Sequence, residues 1–368
     1  MTVSVTREQV LGFRVRAQQL DRDHGDVTDT AVLDIGVQDT GPDGGLWALA
    51  IRGVDVARLA GDELTTVWSI RGAPHLYRRA DLASVAAAVQ PFSSADAASR
   101  VFDAAKPLRA AGVDVLDALD TVAAAMRSVV DRPTVKGEVS ARLRSLLDEA
   151  YLRYCRSCDA IHPYEMPFRL AALRAGLELQ AGTSPPVLQR VPGLEPLTGV
   201  PEGYDDQHDV IRDYLRLLGP ATQKQVAGYL DAPVKEVDSR WPEDVVEVTV
   251  EGETRWALAE DADRLGDGPP RVTRLLGPYD LFLQAKDRRL LVDDPARSRE
   301  LWPVLGRPGV VLQDGEVVGS WRPRKSASRL DLQVRLWTDG DGRRGELGEQ
   351  AERLAAFRGV RLGSVDYS

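Results

Sequence analysis

The chain has 368 residues, 43% hydrophobic and 28% charged, the balance of an ordinary globular protein with room for about two to four domains and an ample core. No apolar run approaches the roughly 18 residues of a membrane span, and the opening Met1-Thr2-Val3-Ser4-Val5-Thr6 lacks the basic and apolar regions of a secretion signal, so a cytoplasmic location without a membrane partner is expected. A net charge of −9 excludes a uniformly basic surface, although a polyanionic partner requires only a local cationic patch.

In chain order, Thr6-Arg7-Glu8-Gln9-Val10 opens a predicted helix through about position 20, with Thr6 as its N-cap. The apolar run Ala31-Val32-Leu33 leads into Ile35-Gly36-Val37-Gln38-Asp39-Thr40-Gly41, an unusual polar cluster at a strand-to-turn edge. In an extended chain Gln38 and Thr40 share one face and Asp39 takes the other. The glycine-rich Gly41-Pro42-Asp43-Gly44-Gly45 has no Lys-Ser/Thr after it and is not a phosphate-binding P-loop.

An amphipathic helix is predicted over 113–130, after which Pro133-Thr134-Val135-Lys136-Gly137-Glu138-Val139 opens a helix through about 147. A second amphipathic stretch, 210–218, precedes Pro220-Ala221-Thr222-Gln223-Lys224-Gln225-Val226, which opens a helix to Leu230. Thr134 and Thr222 are the expected N-caps. With the N-terminal segment these form three copies of one pattern, read as helix-turn-helix units. The third copy continues into a short helix at Ala232-Pro233-Val234-Lys235-Glu236-Val237 and a two-stranded wing, 245–250 and 254–258.

Pro- and Gly-rich stretches at 181–206, 260–270 and 339–345 read as linkers. The last hundred residues read as β-rich. Strands are expected at Leu290-Leu291-Val292, Gly309-Val310-Val311-Leu312, Val317-Val318-Gly319-Ser320-Trp321 and 330–337. Asp314-Gly315 supplies a hairpin turn, and a final helix covers 347–357.

Cys155-Arg156-Ser157-Cys158 with His162 gives three possible metal ligands, but no second Cys pair closes a structural site, and the spacing is read as two reduced thiols without metal. No Gly-x-Ser-x-Gly elbow or His-Glu-x-x-His helix is present, so the common hydrolase and metalloprotease patterns are unsupported. Arginine supplies all but six of the 47 basic residues, a coding bias that points to a GC-rich bacterial genome. Cationic stretches are Arg71 with Arg78-Arg79, Lys286-Asp287-Arg288-Arg289, and Arg322-Pro323-Arg324-Lys325 with Arg329.

Several anchors resemble one family in order along the chain: Gly36-Val37-Gln38-Asp39-Thr40, Trp47-Ala48-Leu49-Ala50-Ile51-Arg52, Trp68-Ser69-Ile70-Arg71-Gly72-Ala73-Pro74-His75-Leu76, Cys155-Arg156-Ser157-Cys158, Tyr279-Asp280-Leu281-Phe282-Leu283-Gln284-Ala285-Lys286-Asp287-Arg288 and Trp321-Arg322-Pro323-Arg324-Lys325. The family is the winged-helix DNA glycosylases, which remove alkylated purines, unhook interstrand crosslinks and protect producers of azinomycin-type antibiotics. The resemblance implies an α+β fold of three tandem winged-helix units with a β-rich C-terminal region, forming a concave DNA channel. It further implies a Gln-x-Gln or Gln-x-Asp motif at the channel centre. Gln38 holds the first position; Thr40 holds the second and departs from both patterns; Asp39 stands between them.

The expected units are 1–105 with the Gln38 motif, 106–200, 205–268, and a β-rich 269–368. The expected activity is a monofunctional DNA glycosylase that uses no cofactor. Gln38, Thr40 and Asp39 are its candidate catalytic residues. Arg71, His75, Arg322, Arg324, Lys325 and Arg329 are its candidate DNA contacts, with a buried, backbone-bonded His75 as the other reading of that residue. The partner is damaged duplex DNA, which would associate the protein with the nucleoid, and a monomer is expected. The alternatives are a winged-helix protein that binds DNA without chemistry, as regulator or damage binder, because Thr40 replaces the second catalytic group, and a scaffold that binds protein or a small molecule.

Overall fold

The computed structural model describes residues 3–41, 43–325, 328–337 and 343–368, and mixes helices with four β-sheets. Two of the three expected N-caps form as capping boxes. Thr6 accepts from the Gln9 amide at 3.2 Å while the Gln9 side chain accepts from Thr6 N at 2.9 Å, opening helix Arg7–Ala17. Thr222 and Gln225 repeat the arrangement at 3.2 and 2.9 Å, opening helix Gln223–Leu230. Thr134 does not cap. It lies in strand Thr134–Val135, donates to Arg132 O at 2.7 Å, and helix Lys136–Leu143 begins after it. Pairing with strand Val187–Arg190 claims that backbone, so the segment expected to be a linker over 181–206 contains a strand.

Helix Arg7–Ala17 is buried on nearly every side, and it carries one charge inward. Arg14 meets Asp287 through two bonds of 3.0 and 2.7 Å, and Arg255 reaches the same carboxylate. A buried charge is tolerable only with such partners. Strand Val3–Val5 then runs parallel to strand Val245–Val250, which pairs with Glu253–Leu258 in the expected hairpin.

The six-stranded sheet orders Val37–Gln38, Pro74–Arg78, Leu64–Trp68, Leu177–Leu179, Val187–Arg190 and Thr134–Val135. The five-stranded C-terminal sheet orders Thr273–Leu276, Gly309–Gln313, Glu316–Lys325, Arg329–Leu336 and Arg361–Tyr367, the last pair parallel. Asp314 and Gly315 take φ of 50° and 83°, the left-handed pair of a tight hairpin. Leu290 and Leu291, expected in a strand, belong instead to the helical turn Arg288–Leu291, because Asp287 is held by Arg14 and Arg255 and a single turn after it carries both leucines into the core. The final helix is Arg344–Phe357.

One core joins the N-terminal segment to the C-terminal sheet. Trp47 is fully buried, donates to Leu275 O at 2.8 Å and meets the Phe357 ring at 5.3 Å. Arg52 and Asp280, both at 0% side-chain exposure, close the same junction through bonds of 2.7 and 2.9 Å. This junction seats the 277–284 turn against the edge strand that carries Gln38.

Candidate active site

Gly36 places the motif. It turns the chain out of helix Val32–Ile35 with φ of 89°, and a Cβ there would fall 2.3 Å from the Tyr77 ring. Tyr77 donates to Ile35 O at 3.1 Å and is pushed above its ordinary acidity range by burial, so it stays a phenol. The chain then forms Val37–Gln38, the edge strand of the six-stranded sheet, with Gln38 opposite His75.

Alternation holds at the end of this strand. Gln38 and Thr40 line one small depression together with Asp43, Gly277, Tyr279 and Asp280; its volume is about 20 Å³, room for about one water. Asp39 faces a separate cleft of about 840 Å³ with Thr66 and Trp68, where it accepts from Gly45 N at 2.8 Å. Gly36 and Gly41 both hold positive φ, yet the bend leaves Asp39 off the Gln38 face.

Gln38 is the middle of a polar relay. Its amide donates to Thr40 Oγ1 at 3.1 Å, and its carbonyl accepts from Gln284 Nε2 at 3.1 Å. Gln284 also donates to Tyr279 O at 2.8 Å and accepts from Arg71. Arg71 donates to Tyr229 O at 2.7 Å and lies 4.5 Å above the Tyr229 ring. Its backbone sits in the left-handed region at φ 58°, a strain of roughly 1 kcal/mol that these contacts offset. Each carbonyl oxygen has two lone pairs, so Gln38 keeps one free, and the Thr40 hydroxyl keeps its proton to donate.

His75 is the buried histidine. No part of it is exposed, and its Nδ1–H is shared between Ala73 O at 2.9 Å and Ser69 Oγ at 3.0 Å. Burial first, then the Arg71 charge, lowers its pKa to about 3. It is therefore a neutral wall behind Gln38 and offers no surface to a nucleic acid, which corrects its expected place among the DNA contacts.

Cations gather beside the relay. Burial, then Arg71, lowers the Lys286 pKa to about 8 against the opposing pull of Asp231. Arg307 lies 5.2 Å from the Tyr279 ring, and Arg288 lies 5.0 Å from the Trp302 ring. Arg322, Arg324 and Arg329 are elsewhere, exposed on the hairpin of Glu316–Lys325 and Arg329–Leu336. Arg324 approaches Asp366 at 3.8 Å and Arg329 bonds Asp331 at 3.1 Å. They make no hydrogen bond or ion pair with the Gln38 group among the described residues; the Lys325 side chain lies outside the described residues. Gln284, Tyr279 and Asp280 were not among the expected site residues, although the conspicuous segment 279–288 carried them.

Two clusters could hold a metal. Cys155, Cys158 and His162 bring their ligand atoms within 4.8 Å of one another. Asp34, Asp81 and His208 also converge, but Arg78 already pairs with both carboxylates.

A sheet-edge amide aimed at a water-sized pocket and bordered by cations suits hydrolysis on a polyanion, and comparison with known proteins gives the class: a DNA glycosylase. The chain belongs to the AlkZ-like DNA glycosylase family, whose model matches residues 34–357. The solved structure of the Streptomyces sahachiroi DNA glycosylase AlkZ is similar over 100% of both chains, with a TM-score of 0.75 and 22% identity, a likeness of fold. No protein of curated function matches the chain.

Proposed function

We propose that this glycosylase hydrolyses the N-glycosidic bond of alkylated or bulky-adduct purines in duplex DNA, with Gln38 and Thr40 as its catalytic pair. The observation that carries the reading is the Gln38–Thr40 bond beside a pocket for about one water. An N7-alkylated purine is cationic and leaves readily, so the protein need only steady an oxocarbenium-like sugar and hold water. The free lone pair of Gln38 faces the developing positive charge, and Thr40 holds the water. Asp280 adds no net charge on this face because Arg52 neutralises it. Asp39 acts in holding the 43–45 turn rather than in the chemistry.

Arg71, Lys286, Arg288 and Arg307 would meet phosphates near the site, and Arg322, Arg324, Lys325 and Arg329 would meet them along the hairpin. Val304 and Leu305, 97% and 86% exposed two or three residues from Arg307, would enter the base stack. We read the three helix-turn-helix segments as winged-helix units of a monomer around a DNA channel. The divisions are 1–105, 106–200, 205–268 and a C-terminal 269–368. Pairing of Val3–Val5 with Val245–Val250 supports a close association of the first and third units.

The test is base release from duplex DNA carrying N7-methylguanine, by wild type and Gln38→Ala, read as alkali-labile sites. Cleavage that depends on Gln38 supports the proposal. Duplex binding without cleavage of this or a bulkier adduct would favour a damage-binding member of the family, and equal cleavage by both proteins would remove Gln38 from the mechanism.

A further inference from the structure

Among the described residues, strands Leu152–Cys155 and Ala160–Pro163 form a two-stranded sheet joined to no other. Its tip carries little apolar cover, with Tyr154 60% and Ile161 42% exposed. A hairpin of this kind is marginal in water without another source of stability. Its base is anchored: Tyr164 N donates to Tyr151 O at 3.1 Å, and Arg153 bonds Asp103 at 2.9 Å. The tip has no such anchor among the described residues; it has Cys155, Cys158 and His162.

The register explains their convergence. Cys155 pairs with Ala160 and Arg153 with His162, so period-two alternation puts Cys155 and His162 on one face as diagonal neighbours. Asp159 takes the left-handed φ of 48°, which folds Cys158 back over that face. The three ligand atoms come within 4.8 Å of one another. Tetrahedral zinc with bonds of about 2.3 Å needs sulfurs about 3.8 Å apart, which small side-chain rotations supply.

The surroundings are those of a ligand set. His162 Nδ1 lies 2.8 Å from Pro163 O, an acceptor only, so Nδ1 carries the proton and Nε2 keeps its lone pair. Metal-bound histidines are commonly oriented by such a backbone bond. The Ser157 hydroxyl lies 3.0 Å from Cys155 Sγ, placed to donate to a thiolate.

We propose that Cys155, Cys158 and His162 bind one zinc ion, with water in the fourth position, and that the ion clips the hairpin tip. Two thiolates and an imidazole are the donors zinc favours over the hard cations of oxygen sites. Two thiolates also balance its charge at an exposed site. The absence of a second Cys pair from the sequence leaves the fourth position open rather than the site unformed.

The test uses the full chain, expressed with added zinc and purified under reducing conditions. Elemental analysis should find about one zinc per chain, lost in Cys158→Ser and in His162→Ala. Cobalt titrated into metal-free wild type should give thiolate-to-cobalt absorption in the near ultraviolet and the strong visible bands of tetrahedral cobalt, both abolished by excess zinc. Zinc should also slow amide exchange over 152–163 and protect both thiols from maleimide. Wild type that holds no zinc and gives no thiolate–cobalt band overturns the proposal whatever the variants do. So does zinc retained undiminished in folded variants, or a Cys155–Cys158 disulfide that forms in place of metal binding under the same conditions.

Discussion

The Gln284 side chain donates to the Gln38 carbonyl at 3.1 Å across 246 residues of sequence, and with its own carbonyl it accepts from Arg71. One amide thus fixes which end of Gln38 faces the pocket. Gln38→Ala should lower base release by about 10² to 10³, the usual cost of one polar catalytic group. Gln284→Ala should cost less, about tenfold, because Gln38 stays present but can flip. Single-turnover rates with matched duplex affinities check both; an unchanged rate for Gln284→Ala would detach it from the site.

Thr40 accepts from Gln38 and can donate onward to water. Thr40→Val keeps the shape and removes both bonds, so the chemical step should slow about tenfold with duplex affinity unchanged. Thr40→Asp places a carboxylate on the same face and should raise the rate, with a new dependence on pH in the carboxylate range. A slower Thr40→Asp enzyme would show that the pocket does not accept charge.

Lys286 is held at about 8 from an ordinary 10.5 by burial and the neighbouring Arg71. It loses its charge as pH rises through about 8. Duplex affinity at low salt should therefore weaken by about three- to tenfold between pH 7 and 9, in line with one lost phosphate contact. Lys286→Arg should flatten the profile. Lys286 is not among the residues lining the Gln38 pocket, and borohydride during turnover should trap no protein–DNA adduct.

His75 carries a stability consequence. The unfolded imidazole titrates near 6.5 and the folded one near 3, so unfolding takes up a proton below 6.5. The stability of the neutral form is complete above that pH and is lost as pH falls toward 3, by up to about 1.4 kcal/mol per pH unit. Urea unfolding from pH 7 to 4 should show this slope reduced in His75→Gln. An identical slope in the variant would assign the acid sensitivity to other groups.

Val304 and Leu305 stand almost wholly in water beside Arg307. Replacing both by Ser should leave stability unchanged, since they bury nothing, and should reduce base release about tenfold through lost distortion of the duplex. Fluorescence of 2-aminopurine beside the lesion should rise on binding of wild type and not of the variant; equal signals would rule out insertion.

What was legible in the sequence was local. The Thr6 and Thr222 caps need only a Gln three residues on, and both formed. Asp314-Gly315 closes its hairpin from its own dihedral preferences. Thr134 failed because Val187–Arg190, far along the chain, pairs with the same backbone. The site divides likewise: alternation alone separates Gln38 and Thr40 from Asp39, whereas Gln284 and Tyr279 arrive by packing of a distant turn. Burial of His75 and convergence of His162 on two cysteines depend on strand register, which spacing does not specify.

The parallel pairing of Val3–Val5 with Val248–Val250, and the Arg14–Asp287 bond spanning 273 residues, tie the first helix to a late part of the chain. On a ribosome adding about 5 to 20 residues each second, that helix would emerge roughly 15 to 55 seconds before its carboxylate partner. During that interval the buried face of the helix lacks the 210–218 and 259–266 segments it packs on, and Arg14 lacks its carboxylate. Its neighbourhood should therefore be among the last to close during synthesis and the natural place for a chaperone to hold the nascent chain.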